Sequence, residues 1–354
     1  MAGSGQPPPF HRVKQVGRGS IFFHALPIRE LISVKEGLTM ASKTKAAAAG
    51  GETLTYNQGT FRNSALVRQQ TLAAYLFLLP ALIFFVLFVV VPMVMCLVTS
   101  FLDYRMGKPL TFVGFAQYIK MFQDPVFIKA LQNTFILVIV AVPAVTAFSL
   151  WVGSVVYKMS SFKRSFYRCV FYLPVVTGTV AVAVVWKWMF NKYTGLINYV
   201  LNAVGIIDEN ISWLGDARFA LGCITLILFT TSIGQPIVLY IAALGNVDPS
   251  LIDAAEVDGA SNFQVFWHIK WPQIMPTTLY ILVITTINTF QCYALIQLLT
   301  SGGPNHATDT IMYYIYYQAF KLNDYGYGNA MGVVLAIIIA VLSALQFKFA
   351  GSSD

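Results

Sequence analysis

Long uncharged runs separated by short polar connections set the pattern of this chain. Six stretches free of Asp, Glu, Lys and Arg lie between Arg68 and Asp103, Lys129 and Lys158, Arg168 and Lys187, Arg218 and Asp248, Lys270 and Asp309, and Asp324 and Lys348. A helix that crosses the hydrocarbon core of a bilayer needs about 20 predominantly apolar residues, so each stretch predicts a spanning helix, six in all. The third is the shortest, and Trp186 and Trp188 beside Lys187 supply the interfacial and snorkelling anchors of a short span. The fifth is too long for one helix, and Ser301, Gly302, Gly303 and Pro304 end it with turn chemistry. The predicted fold class is an all-α polytopic membrane protein, with its membrane domain over residues 71–350.

Composition agrees, for 57% of the 354 residues are hydrophobic and only 11% are charged, whereas soluble domains carry about 25% charge. Residues 1–70 differ: they are rich in Gly, Pro, Ala, Ser and Lys, have no apolar stripe long enough to pack, and are predicted to form a disordered cytoplasmic tail. The tail lacks the apolar core of a cleavable signal peptide, which leaves insertion to the first spanning helix. "MASKTK" at Met40 reads as a translation start, so residues 1–39 are expected not to be made. Six spans place both termini on one side, and the dense short connection holding Lys158, Lys163, Arg164 and Arg168 assigns that side to the cytoplasm.

The net charge of +8 comes mostly from the tail, which suits attraction to anionic membrane lipid and gives no sign of nucleic-acid binding. Cys96, Cys169, Cys223 and Cys292 lie far apart inside apolar stretches, without the spacing of a metal site or a disulfide framework. Tyr313, Tyr314, Tyr316, Tyr317 and Phe320 read as an aromatic belt at the outer headgroups.

One polar segment, 248–272, is built more deliberately than a linker. Asp248 before Pro249 starts a helix, Gly259 stops it in a left-handed conformation, and Ser261 with Gln264 forms the capping box of a second short helix. That second helix carries Phe263, Phe266 and Trp267 on one side, and Pro272 and Pro276 lead onward into the fifth span. Ala254 and Ala255 are small enough for another backbone to approach, Leu251 and Ile252 offer apolar contact, and Asp253, Glu256 and Asp258 leave a negative edge for basic residues of a partner.

"DAAEVDGASNFQVFWHIKWPQIMP" resembles the signature loop of ABC importer permeases, E-A-A-x-x-x-G-x9-I-x-L-P. Ala254, Ala255, Gly259, Ile269 and Pro272 match at the required spacing, while Asp253 replaces the usual glutamate and Trp271 the usual leucine. "LIQLLTSGGPNHATDTIMYYIYYQAF" followed by "DYGYGNAMGVVL" is similar to the C-terminal part of carbohydrate-uptake permeases of the maltose, glycerol-phosphate and multiple-sugar type. The resemblance implies the type I importer permease fold in a bacterial plasma membrane. It also implies a second permease as heterodimer partner, two cytoplasmic ATPase subunits docked on the signature loops, and an extracytoplasmic sugar-binding protein.

Polar side chains at membrane depth usually face a partner helix or a cavity. Thr285, Thr289 and Cys292 recur at i, i+4, i+7 with Asn288 and Gln291 beside them, and Thr230, Thr231, Ser232, Gly234 and Gln235 cluster before a kink expected at Pro236. A neutral, hydrogen-bonding pathway of this kind suits an uncharged polyol, with packing between helices as the plainer alternative. An ion-coupled secondary carrier is the competing transport reading, but the spans hold no carboxylate or histidine for a coupling ion. No catalytic constellation, metal ligand set or cofactor motif is present, and with no G-x-x-x-x-G-K-[ST] loop, ATP hydrolysis falls to a partner.

Overall fold

The computed structural model describes residues 65–350, and the expectations for residues 1–64, the start at Met40 included, lie outside them. Helix α1 (Ala65–Phe85) begins within the segment expected to be tail. It runs through a π turn (Val86–Val90) into α2 (Val91–Thr99). The chain divides into two units between Leu79 and Pro80, and the packing that follows is within the second. Most large side chains from Leu82 to Val98 are exposed, an apolar surface suited to lipid or to another membrane subunit. A short hairpin, β1 (Leu102–Asp103) paired antiparallel with β2 (Thr111–Phe112), and helix α3 (Ala116–Gln123) complete the connection between α2 and the next long helix.

Helix α4 (Pro125–Tyr157) is the central post of the bundle. Asp124 starts it by accepting from the backbone N–H of Val126 at 2.9 Å, and Pro125 occupies the first helical position, where no N–H is needed. Its 33 residues span about 50 Å at 1.5 Å per residue, with Asp124 and Lys158 capping its two ends. The near end packs Phe127 and Ala130 with Phe290, Ile311, Tyr327 and Met331. Further along, Leu137 and Ala141 join Ile224, Ile227 and Ile296, and then Val145, Val152 and Val156 meet Ile233, Ile237 and Ile241. Gly153 permits this last approach, since a Cβ there would stand 2.8 Å from that of Tyr240.

After the basic turn, α5 (Ser161–Thr177) and α6 (Thr179–Met189) follow at 96° to each other, so the third uncharged stretch is sharply bent, as a broken span or a re-entrant pair. The break is Gly178, whose φ of +80° favours glycine. A short helix α7 (Leu196–Ala203) leads to a second bent pair, α8 (Ala220–Ser232) and α9 (Gly234–Gly245), meeting at 40°. That bend is the expected kink, and Ser149 of α4 donates its hydroxyl to the carbonyl of Ile233 at the break.

The docking-like segment forms α10 (Pro249–Val257) and α11 (Asn262–Val265), followed by a π turn (Phe266–Lys270) and α12 (Trp271–Phe290). The residues flanking each junction are right-handed helical, so the second helix runs directly into the fifth expected span, α12. The π turn provides the join, for Trp271 N–H donates to the carbonyl of Phe266 five residues back, just before Pro272, which has no N–H to give. Short helices α13 (Ala294–Leu299) and α14 (Ile311–Tyr316), a third π turn (Tyr317–Lys321) and the terminal α15 (Tyr325–Ala350) close the fold.

Among the described residues three helices are long and apolar enough to cross a membrane, Ala74–Thr99, Pro125–Tyr157 and Tyr325–Lys348, or five spans if each bent pair counts as one. Helix α12 has the length, 20 residues, but its threonines and Asn288 dilute the apolar run. The molecule is thus an all-α membrane protein with three to five apolar spans.

Candidate functional site

Among the described residues, three of the places where polar side chains gather differ in what they leave available. At the Asp124 end the polar groups are spent on each other. Tyr314 and Tyr327 both donate their hydroxyls to Asp124 Oδ2, at 2.7 and 2.8 Å, and Gln318 Nε2 donates to Tyr314 Oη at 2.7 Å. Burial pushes the Asp124 carboxyl up, but the tyrosine hydroxyls and the N–H groups of Val126 and Phe127 outweigh it and hold the group below its ordinary value. Beside it Arg105 and Lys120 reach Asp324 at 3.0 and 3.5 Å. Tyr313 also turns inward and donates to the carbonyl of Ser301 at 2.9 Å. Tyr313 and Tyr314 are buried, a correction to the belt reading: their hydroxyls found acceptors inside the fold.

The second place is a cavity of about 310 Å³ where helix breaks converge. Gly178, between α5 and α6, lines it with Thr231, Gln291, Cys292 and Tyr293. Gln291 caps α12, and Cys292 lies beyond the helix end instead of on its flank. Of the residues proposed for a solute pathway, Gln291 and Cys292 therefore share this cavity. Thr285 and Thr289 are buried, the Thr289 hydroxyl donating to the carbonyl of Thr285 at 2.8 Å. Thr230 is half-buried and donates to Ile227 O at 2.8 Å. Gly234 is buried, where any Cβ would collide with the backbone of Phe171 and stand 2.9 Å from Val175 Cγ2. Asn288 and Gln235 are exposed on the outside of this chain, apart from the cavity. Gly178 escaped sequence reasoning, although Pro174 and Gly178 within the shortest uncharged stretch were the signal of a break.

The third place is the loop 248–272. Asp248 Oδ1 accepts from Ser250 N–H at 2.9 Å, and this bond holds the Asp248 carboxyl below its ordinary value. Gly259 has φ +79°; its N–H donates to Glu256 O at 3.1 Å, and Ala260 N–H donates to Ala255 O at 2.9 Å, which closes the helix end. The capping box is formed, with Ser261 N–H donating to Gln264 Oε1 at 2.7 Å and Gln264 N–H to Ser261 Oγ at 3.4 Å. Ile252 and Ile269 pack inward against the cluster of Tyr240, Leu244, Val247 and Ile274. They anchor the loop, and Pro272 follows on the exposed flank.

What faces outward is Leu251, Asp253, Ala254, Glu256, Asp258 and Gly259, all exposed, together with Val257 at 88% exposure. Val257 was not foreseen, though it lies three residues after Ala254 on the same helical face. Ala255 turns toward a hollow of about 300 Å³ shared with Gln264, His268 and Ile269. The loop therefore presents a short helix with an apolar tip, a small-residue step and three carboxylates. It has the makings of a protein-docking surface.

Comparison with known proteins gives a consistent result. Residues 134–350 match the model of the binding-protein-dependent transport system inner membrane component. The chain is 33% identical over 286 residues to the probable ABC transporter permease protein YurN of Bacillus subtilis, covering 80% of this chain and 98% of that protein. It is 32% identical over 291 residues to the lactose transport system permease protein LacF of Rhizobium radiobacter, covering 81% and 97%. A solved chain of a bacterial ABC transporter involved in the import of the acidic polysaccharide alginate shares its fold, with a TM-score of 0.69, 24% identity and coverage of 80% and 97%.

Proposed function

Because the chain belongs to the binding-protein-dependent transport system inner membrane component family, we propose that it is one of two permease subunits of an ATP-driven importer for an uncharged sugar. A second permease completes the pathway, two cytoplasmic ATPase subunits dock on the loops of the pair, and an extracytoplasmic binding protein delivers the solute. Relatives of the chain include a lactose and an arabinooligosaccharide permease protein, which supports a carbohydrate as cargo. In this reading α12 spans as well, fifth in chain order, which brings the total to six, and both termini are cytoplasmic.

The observation that carries the proposal is the loop 248–272, whose inner residues are tied to the bundle while Asp253, Ala254, Glu256, Val257, Asp258 and Gly259 stand free. Asp253 and its neighbouring carboxylates attract basic residues of the ATPase, and Ala254 admits its backbone. In the membrane, Gln291, Cys292 and Gly178 at the α5–α6 break line this subunit's half of the pathway. Asn288 and Gln235 face outward, toward the second permease. Sugar hydroxyls meet amides and backbone there, with no fixed charge to repel or trap them.

The test is Asp253→Lys in the assembled importer. Charge reversal is expected to leave the subunit in the membrane but to reduce co-purification of the ATPase and sugar-stimulated ATP hydrolysis in liposomes. Normal subunit ratio with full stimulation would mean that the loop does not receive the ATPase.

A further inference from the structure

Behind the docking loop, the last turn of α4 and the aromatic turn of α11 enclose a groove of about 620 Å³. Its walls are largely rings and methyl groups, from Trp151, Val155, Leu244, Phe263, Phe266 and Trp267. Two cations line it as well, Lys158 and Lys270. Among the described residues neither lysine forms an ion pair. Lys270 is half-buried, with Nζ 5.9 Å from the centre of the Tyr157 ring. Burial, and then the charge of Lys158, hold the Lys270 ammonium below its ordinary pKa, against the opposite pull of Glu256. Two ammonium groups that repel one another across an apolar wall are relieved by an anion between them. Ser154 adds a hydroxyl to the groove that is buried without a hydrogen-bond partner.

These features select among anions. Free phosphate would satisfy the lysines and leave the rings idle, and an acidic peptide has no acyl chain to lay in a groove walled by Trp151, Phe266 and Trp267. The site lies where the uncharged length of α4 gives way to the basic turn, and Trp151 there is 64% exposed, a level at which tryptophan anchors to headgroups. We propose that this groove binds a phospholipid with an anionic headgroup, its phosphate between Lys158 and Lys270 and an acyl chain against Trp151, Val155 and Trp267. Since Phe266 and Lys270 belong to the π turn leading into α12, the lipid touches the join between docking loop and membrane helix.

The experiment uses the full importer in detergent, titrated with phosphatidylglycerol and separately with phosphatidylcholine, and reads bound lipid by native mass spectrometry. The wild-type complex is expected to retain phosphatidylglycerol in preference to phosphatidylcholine. The double variant Lys158→Gln/Lys270→Gln should lower phosphatidylglycerol affinity on the order of 30-fold, from about a fivefold contribution of each lysine, with the ATPase still bound. Ser154→Ala should give a smaller loss in the same direction. Unchanged phosphatidylglycerol binding by the double variant would overturn the proposal in favour of ordinary surrounding lipid. Loss of the ATPase with lipid retention unchanged would overturn it in favour of a protein contact.

Discussion

The two ends of α4 are held in opposite ways. At the Asp124 end, a single carboxylate receives hydroxyls from Tyr314 and Tyr327, residues about 200 positions away in the chain, and Asp324 gathers Arg105 and Lys120. At the Lys158 end, the loop 248–272 is shaped by bonds to its own neighbours, Asp248 to Ser250, Gly259 to Glu256 and Ser261 to Gln264, and it is tied to the bundle by apolar side chains and by Lys270 near the Tyr157 ring. Long-range hydrogen bonds fix distant segments whatever else is bound. Local caps fix the shape of one element and leave its outer face unspent, which is the state a docking surface requires.

The largest effect should come from breaking the long-range end. Asp124→Ala removes the helix cap and orphans two tyrosine hydroxyls, a cost of about 3 kcal/mol in folded-state stability. Thermal melting of the detergent-solubilised importer checks it, and retention of the wild-type midpoint would show that the tyrosines re-pair. The acid limb carries the same signature. The Asp124 carboxyl is held below its ordinary 3.8, so its stabilisation is complete above that pH and is lost as pH falls through the folded value. Asp124→Asn should flatten that limb.

At the locally capped end the matching change is Gly259→Val. A Cβ there meets nothing within 4 Å, so the cost is confined to positive φ in a β-branched residue, about 1 to 2 kcal/mol. The subunit should still insert and pair, while ATPase co-purification and sugar-stimulated hydrolysis fall. If Gly259→Val melts the whole subunit as Asp124→Ala does, the contrast between the ends is wrong.

The smallest effect lies between the ends. Gln291→Ala should weaken sugar transport by about fivefold in apparent affinity, the worth of one hydrogen bond near 1 kcal/mol. Asn288→Ala, outside the cavity of this chain, separates a contact made within the subunit from one made across to its partner. Uptake kinetics in vesicles with both variants at wild-type values would assign these amides to packing.

How much of this was legible from the residues depends on how local the cause is. The caps of the docking loop were readable because Asp248–Pro249, Gly259 and Ser261–Gln264 act over three or four positions. The inward turn of Tyr314 was not, since its acceptor is 190 residues away in sequence. Ile252 and Ala254 looked alike as contact residues, yet Ile252 packs against Leu244 and Ile274 while Ala254 is exposed. Periodicity gives a face; only the neighbouring helices decide which face is inside. The break at Gly178 was hidden for another reason, for counting uncharged residues measures length and says nothing about direction.

The unbroken helical run from Asn262 through the π turn to Phe290 has a mechanical consequence. Coupled to the docking helix α10 by the tight turn at Gly259, it joins the capping box at Ser261 to the cavity lip at Gln291 without a loop. Its 29 residues amount to a lever arm of about 43 Å at 1.5 Å per residue. Pivoted at either end, a tilt of roughly 10° would swing the other by about 7 Å, more than one helical pitch. If the loop receives an ATPase as proposed, a small rocking there would be geared up into a displacement comparable to the width of a sugar ring.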